Sequence, residues 1–434
     1  MQKSFNTFIL SGLLMASGIT YAEVEQCYVP VSVPSSPTAE QWREINRLLS
    51  PQLENCLQSS DYFSLYGASL LYLGDVKMAI EMLERSLLID PNNGSAQVDY
   101  AQALYQSGQL LSALQINAQA IEQASIPPLL KEVLKQRQDL WESQKYLWRN
   151  QFSYLYGHSS NLNNATYIDD YELTFPDFDI RYNLSDSARQ KSGNYHYLRL
   201  FSQHYSLLAE GVSVLSFSAQ TRDSNLNKSD TDEFTVAYER NIEKLHFSYH
   251  WELEAEHVRL GDEGLYSSFG GSYTLTPRNS ISYVRLESSH THFNGDHTLD
   301  DVTFMLEPGI LLSDESVRWG ANLGIGVNSA LEDRPGADRN IKQLETFLDL
   351  PLLKGRLTTK LSITRTEDHE GYHPLLANNI PRNTKAWAAN IQYLYPITKD
   401  LSIHASYYYR DQDSNIYLFN TKNESIDLGF TYKF

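Results

Sequence analysis

The chain is poor in several things, and each shortage narrows what it can be. Only two of its 434 residues are cysteine, Cys27 and Cys56. That is too few for a disulfide scaffold, and one pair at this spacing matches no metal or redox motif. In an oxidising compartment the two are expected to form a single staple on the first helices. Basic residues are outnumbered, 35 Lys and Arg against 53 Asp and Glu, for a formal net charge of −18. Phosphate backbones are held by clustered Lys and Arg, so no nucleic-acid partner is expected. Enzyme signatures are missing too. There is no Gly-rich phosphate loop, no G-x-S-x-G elbow and no H-E-x-x-H helix, so neither catalysis nor a cofactor nor a bound metal is expected.

Long apolar runs are also lacking. Past the first 22 residues no window approaches the roughly 20 apolar residues that a membrane helix needs. The mean hydropathy is −0.42. This excludes helical spans but not a β-barrel, in which only alternate residues meet lipid. Residues 1–22 read as a secretory signal. Lys3 supplies the positive start, Phe8 to Ile19 the short apolar stretch, and Thr20-Tyr21-Ala22 the cleavage site.

Two periods then divide the chain. Residues 23–146 read as a helical domain with a 34-residue repeat. With Ser60 as position 1, Gly67, Gly74, Ala79, Leu83 and Pro91 fall at positions 8, 15, 20, 24 and 32. A second copy starts at Gly94 and puts Ala101, Gly108, Ala113 and Ala120 at positions 8, 15, 20 and 27. This is the tetratricopeptide (TPR) pattern. Small residues let two helices approach, and Gly serves the turn between them. About three units are needed for stability, so the segments 37–57 and 129–147 are expected to complete the stack. The concave face of such a stack holds peptides. The register assigns Asp61, Ser64, Tyr72, Val98, Gln102 and Tyr105 to it.

Over residues 147–434 the period becomes two. Trp251, Leu253 and Ala255 alternate with His250, Glu252, Glu254 and Glu256. Many such runs last 10 to 14 residues, whereas soluble strands have about five or six and tilted membrane strands about 9 to 11. Short connections at 276–279, 352–354 and 396–399 alternate with long polar ones at 222–232, 328–339, 370–383 and 411–422. Short turns on one side and long loops on the other mark an outer-membrane barrel. Tyrosine, 29 residues of the 52 aromatics, suits the membrane interface. The expected fold is therefore a multi-domain chain, an α-helical TPR domain followed by a transmembrane antiparallel β-barrel. About 15 candidate strands can be drawn. An even number is required, so one candidate between residues 147 and 222, where Pro176 interrupts a run, is discounted to leave 14.

The final stretch, "IDLGFTYKF", alternates to its last residue. Ile426, Leu428, Phe430, Tyr432 and Phe434 are expected to face lipid while the strand pairs with the first to close the barrel. Phe430, Tyr432 and Phe434 match the recognition signal of substrates of the bacterial barrel-assembly machinery. On the other face of its strand, the set His246, His250, Glu252, Glu254 and Glu256 is expected to line the lumen. The stretch "HTHFNGDH", with His290, His292, Asp296 and His297, reads as a solvated outer loop.

The whole arrangement resembles the surface lipoprotein assembly modulator (Slam) family. Two local stretches add to the likeness, "SSNLNNA" (Ser159 to Ala165) and "LSDSARQKSG" (Leu184 to Gly193). The resemblance implies an outer-membrane translocator with its TPR domain in the periplasm. It implies an exported lipoprotein or soluble, for example haem-binding, client protein as partner, and dealings with periplasmic chaperones. The rival readings are a TPR-containing polysaccharide-export porin and a passive solute porin.

Overall fold

A computed structural model describes residues 27, 29, 33–34, 37–314 and 316–434. The expected signal segment lies outside the described residues. The chain divides into two compact units, with the boundary between Ser143 and Gln144.

The first unit is built from six helices: α1 (Ala39–Leu49), α2 (Ser60–Tyr72), α3 (Val76–Ile89), α4 (Gly94–Gln106), α5 (Leu110–Glu122) and α6 (Pro128–Ser143). Their starts are written in side chains that accept orphan N–H groups. Thr38, Ser59, Asp75 and Asn93 each cap a helix in this way. The repeat positions do what their chemistry suggests. A Cβ on Gly67 would sit 2.5 Å from Leu83 Cγ, so only glycine allows α2 and α3 this approach. Gly74 and Gly108 close their α-turns at φ +93° and +84°. Ala79, Leu83, Ala101, Ala113 and Ala120 are fully buried between helices. Cys27 and Cys56 form a disulfide, with Cα atoms 4.9 Å apart, and Cys27 packs onto a core of Trp42, Ile45, Leu49, Tyr62 and Phe63.

The second unit runs through sixteen strands. They are β1 (Tyr146–Ser159), β2 (Asp170–Thr174), β3 (Asp179–Asn183), β4 (Gly193–Leu208), β5 (Gly211–Ser224) and β6 (Thr231–Glu243). Then come β7 (Phe247–Leu260), β8 (Glu263–Pro277), β9 (Ser282–Phe293), β10 (Asp301–Ser313) and β11 (Arg318–Ala330). The last are β12 (Arg339–Leu352), β13 (Gly355–Gly371), β14 (Pro381–Pro396), β15 (Leu401–Ser414) and β16 (Thr421–Lys433). Fourteen close an antiparallel barrel in chain order, and β2 and β3 form a separate hairpin. Pro176 lies at the tip of that hairpin. A residue with no N–H cannot serve a central strand, which is why the extra candidate falls in this segment.

Closure comes from β16 lying against β1, with Phe152 opposite Tyr432 and Tyr154 opposite Phe430. Phe430 packs on both partners' rings at 6.2 and 5.9 Å. Phe434 N–H donates to the Asn150 carbonyl at 3.0 Å and its carbonyl accepts from Asn150 N–H at 3.2 Å. One face of β16 is apolar and exposed, with Leu428 at 61%. The other carries Ser425 and Thr431, which are buried. An outward apolar row of this kind is the lipid-facing surface of a closed barrel.

Candidate functional site

Two surfaces can hold a ligand, one in each unit. In the helical unit the first helices of the two repeats, α2 and α4, carry the expected groove residues. Tyr72 is 58% exposed and stacks on Trp42 at 4.9 Å. Tyr105 stacks on Trp141 at 4.6 Å. Asp61 is exposed and accepts from Asn93 Nδ2 at 3.3 Å. Gln102 is half-buried. Val98 packs beside Ala120, Ile126 and Leu134, and its carbonyl accepts from Arg137 at 3.4 Å. Ser64 departs from the expectation. It is buried, 5% exposed, inside the helix stack, because the tight Gly67–Leu83 approach turns that side of α2 into an interface.

The same face holds a charged pair that the repeat register passes over. Arg137, on α6, donates from Nε to Asn117 Oδ1 at 2.8 Å and lies over the Trp141 ring at 4.7 Å. Asn117 is fully buried and donates to the Leu134 carbonyl at 3.0 Å and Gln138 Oε1 at 2.7 Å. This network locks the guanidinium in place. Asp99, on α4, interacts with Arg137, and so does Tyr72. Burial raises the Asp99 carboxyl to about 7, and the pull of Arg137 opposes but does not reverse the rise. Burial likewise lowers the Arg137 pKa, against the attraction of Asp99 and Tyr72. Asp99 is position 6 of the second repeat and Arg137 lies past the last clear repeat. The available signal was a carboxylate on an otherwise uncharged helix, followed by an Arg four residues before a Trp.

In the barrel unit, the lumen walls differ in charge. On β7, His250, Glu252, Glu254 and Glu256 alternate with the apolar outer row. Their register partners on β6 include Glu239, opposite Glu252. Glu252 lies 3.9 Å from Arg285, which also meets Glu287 at 3.0 Å. Glu256 accepts from Tyr266 and Ser268 at 3.2 and 3.3 Å. His250 meets Asn241 at 2.8 Å. His246 is a correction: it sits in the turn before β7 and is exposed, with its carbonyl accepting from Arg278 N–H. The alternation of residues 245 to 247 is real, but the strand begins only at Phe247 because a tight turn takes Leu245 and His246.

The opposite wall, from β1, β4, β5 and β14 to β16, encloses a cavity of 350 Å³ lined by Tyr195, Tyr197, Arg199, Arg222, His404 and Asp427. Tyr195 and Ser406 both donate to Asp427, the latter at 2.7 Å. Arg199 donates to Ser218 at 3.1 Å. Arg222 ties the "SSNLNNA" segment to this wall by donating to the Leu162 carbonyl at 2.8 Å. At the end of β9 and in the turn that follows it, His292 and His297 gather round Asp300 at 2.7 and 3.7 Å, while Asp296 caps the turn that carries His297; His290 and His292 belong to the strand and not to the expected loop.

A tetratricopeptide-repeat family model matches residues 70–138. No curated protein matches the chain in sequence. Among solved structures, the helical unit is similar to PcrH in complex with the chaperone-binding region of PopD. That match has 20% identity and a TM-score of 0.23, and covers 25% of this chain and 83% of the other. The barrel is similar to the anion-selective porin from Comamonas acidovorans, at 8% identity and TM-score 0.37, covering 67% of this chain and 99% of the porin. It is also similar to Salmonella typhi OmpF, at 10% identity and TM-score 0.37, covering 67% of this chain and 97% of OmpF. The chain is thus a TPR-type helical unit followed by a closed fourteen-strand antiparallel barrel.

Proposed function

We propose that this protein is an outer-membrane translocator that takes a specific client polypeptide from the periplasm to the cell surface or medium. The client is a lipoprotein or a soluble protein such as a haem carrier, as the resemblance to the Slam family implies. The observation that carries the reading is the groove of the helical unit. Tyr72 and Tyr105 offer rings, Trp141 backs Tyr105 from the core, and Asp99 and Arg137 offer one acceptor and one fixed donor fork. Rings with an adjacent charged pair suit an extended polypeptide, which presents apolar side chains and backbone amides together. A passive solute porin has no use for such a groove.

On this reading the helical unit lies in the periplasm, so the short turns of the barrel face inward and the long loops face out. Only Gln144 and Lys145 join α6 to β1. A client held on the groove is thus tethered to the barrel and kept at high local concentration without ATP. The acidic lumen wall on β6 and β7 repels acidic segments and admits basic or neutral ones.

The test is reconstitution in a heterologous Gram-negative host with exported proteins encoded beside this gene. Surface exposure is read by protease on intact cells, and release by assay of the medium. The reading expects one client to appear outside only with the full chain, and to be lost when Arg137→Ala and Tyr105→Ala are combined. If solute uptake changes and no protein is delivered, the chain is a porin. If dye-binding polysaccharide appears instead, it is a sugar exporter.

A further inference from the structure

Three neighbouring strands place three cations side by side on the outer surface of the barrel. Lys342 on β12 pairs with Arg365 on β13, which pairs with Lys385 on β14. Two residues closer to the short turns the same face carries Leu344, Ile363 and Trp387, also in register. Leu344 and Trp387 are 49% and 46% exposed, so this is the lipid-facing side. The cations stand at one height. Lys342 is ten residues from Leu352 (352 − 342), Arg365 ten from Gly355 (365 − 355) and Lys385 eleven from Pro396 (396 − 385). At about 3.3 Å per residue and a tilt of about 40°, that is roughly 25 Å above the short turns, the height of a barrel's apolar band. The row therefore stands where hydrocarbon ends and head groups begin, on the long-loop side.

Like charges directly opposite one another in a sheet are destabilising. Here one carboxylate serves the row. Glu367 meets Arg365 at 2.6 Å and Lys342 at 3.6 Å. Lys385 makes no ion pair among the described residues, although Asp413 is its register partner, and it lies over the Trp387 ring at 4.8 Å. The side chains of Lys342 and Arg365 stay more than half exposed. Three cations within about 10 Å, the width of two strand spacings, against the shared Glu367 and the neighbouring Asp413 still leave a net positive charge at the head-group level. A bisphosphorylated head group has the matching charge and reach, and acyl chains can lie on Leu344, Ile363 and Leu361 below.

We propose that the row Lys342–Arg365–Lys385 binds the phosphate groups of an anionic lipid in the outer leaflet. The inference rests on the membrane orientation given above and is independent of what the protein exports. It is tested with full-length protein in mild detergent, titrated with a bisphosphorylated lipid A glycolipid and read by native mass spectrometry. The variant Lys342→Gln/Arg365→Gln/Lys385→Gln is expected to retain about tenfold less of this lipid, given attraction at each lost cation. The control Arg240→Gln/Lys422→Gln, altered on other strands, is expected to retain as much as wild type. Added inorganic phosphate is expected to leave retention unchanged. Equal retention by the triple variant overturns the proposal, as does displacement by inorganic phosphate alone, which marks a free-anion site. If the triple variant fails to assemble, Lys385→Gln alone must still lower retention by about threefold, and unchanged retention overturns the proposal. Client delivery scored separately in cells that produce the triple variant distinguishes this outcome from the fate of the transport reading.

Discussion

The two units of this chain solve opposite solvent problems with the same residue types. In the helical unit Leu83 is fully buried, whereas in the barrel Leu428 is 61% exposed. The buried clusters of apolar residues, built around Leu49, Leu83, Leu104 and Leu134, all lie between Cys27 and Trp141. In the barrel the apolar residues point out and the polar ones, such as Glu256 and Asp427, point in. Composition cannot separate the two cases. The period of the pattern can, because a helix turns its apolar residues toward a neighbour every 3.6 residues and a strand turns them outward every two.

The contrast can be broken most sharply at Leu83. Leu83→Ala removes a side chain that meets Gly67 across α2 and α3, and should destabilise the helical unit by about 3–5 kcal/mol, read from thermal loss of helical circular dichroism. Replacing Cys27 and Cys56 by Ser should cost the same unit about 3 kcal/mol and leave the barrel's resistance to detergent unaltered. In the barrel the sensitive direction is reversed. Leu428→Arg puts a charge into lipid and should cost about 2–4 kcal/mol, measured by urea unfolding in vesicles, although the same change at an exposed helical position would be mild.

A smaller effect sharpens the electrostatic half of the comparison. The Asp99 carboxyl is raised to about 7 in the folded state, above its unfolded value near 4. Below both values it is protonated in either state and contributes nothing. As pH rises from about 4 to 7 the unfolded chain ionises first, so the carboxyl progressively destabilises the fold. Asp99→Asn should therefore stabilise the helical unit at pH 8 by about 1–2 kcal/mol, discounted for partial exposure, and make no difference well below the unfolded value, at about pH 2.5. Equal melting of the two proteins at pH 8 would sink this account. Smallest of all, Glu254→Gln on the polar wall should change barrel stability by less than about 0.5 kcal/mol.

Much of this was legible in the residues. The repeat spacing located Gly67, Gly74 and Ala79, and strand period with loop asymmetry gave fourteen strands and the closing pair of β1 and β16. The errors have local causes. Pro176 signalled a broken strand but not that the fragments would pair as β2 and β3. His246 obeyed the alternation while belonging to a turn, since periodicity does not mark where hydrogen bonding begins. Ser64 was assigned from repeat position alone, which ignores how closely a glycine lets the next helix approach. Arg137 reaches the Val98 carbonyl, beside Asp99, only through tertiary packing, and no spacing rule encodes that.

The seam between β1 and β16 has a consequence in time. Gln151 pairs with Lys433 and Tyr154 with Phe430, so the barrel cannot close until its final strand has emerged and been delivered. The helical unit, whose contacts are local and finish at Ser143, is free to fold long before. The chain therefore passes through a stage in which its helical unit is complete and its barrel is still an open sheet.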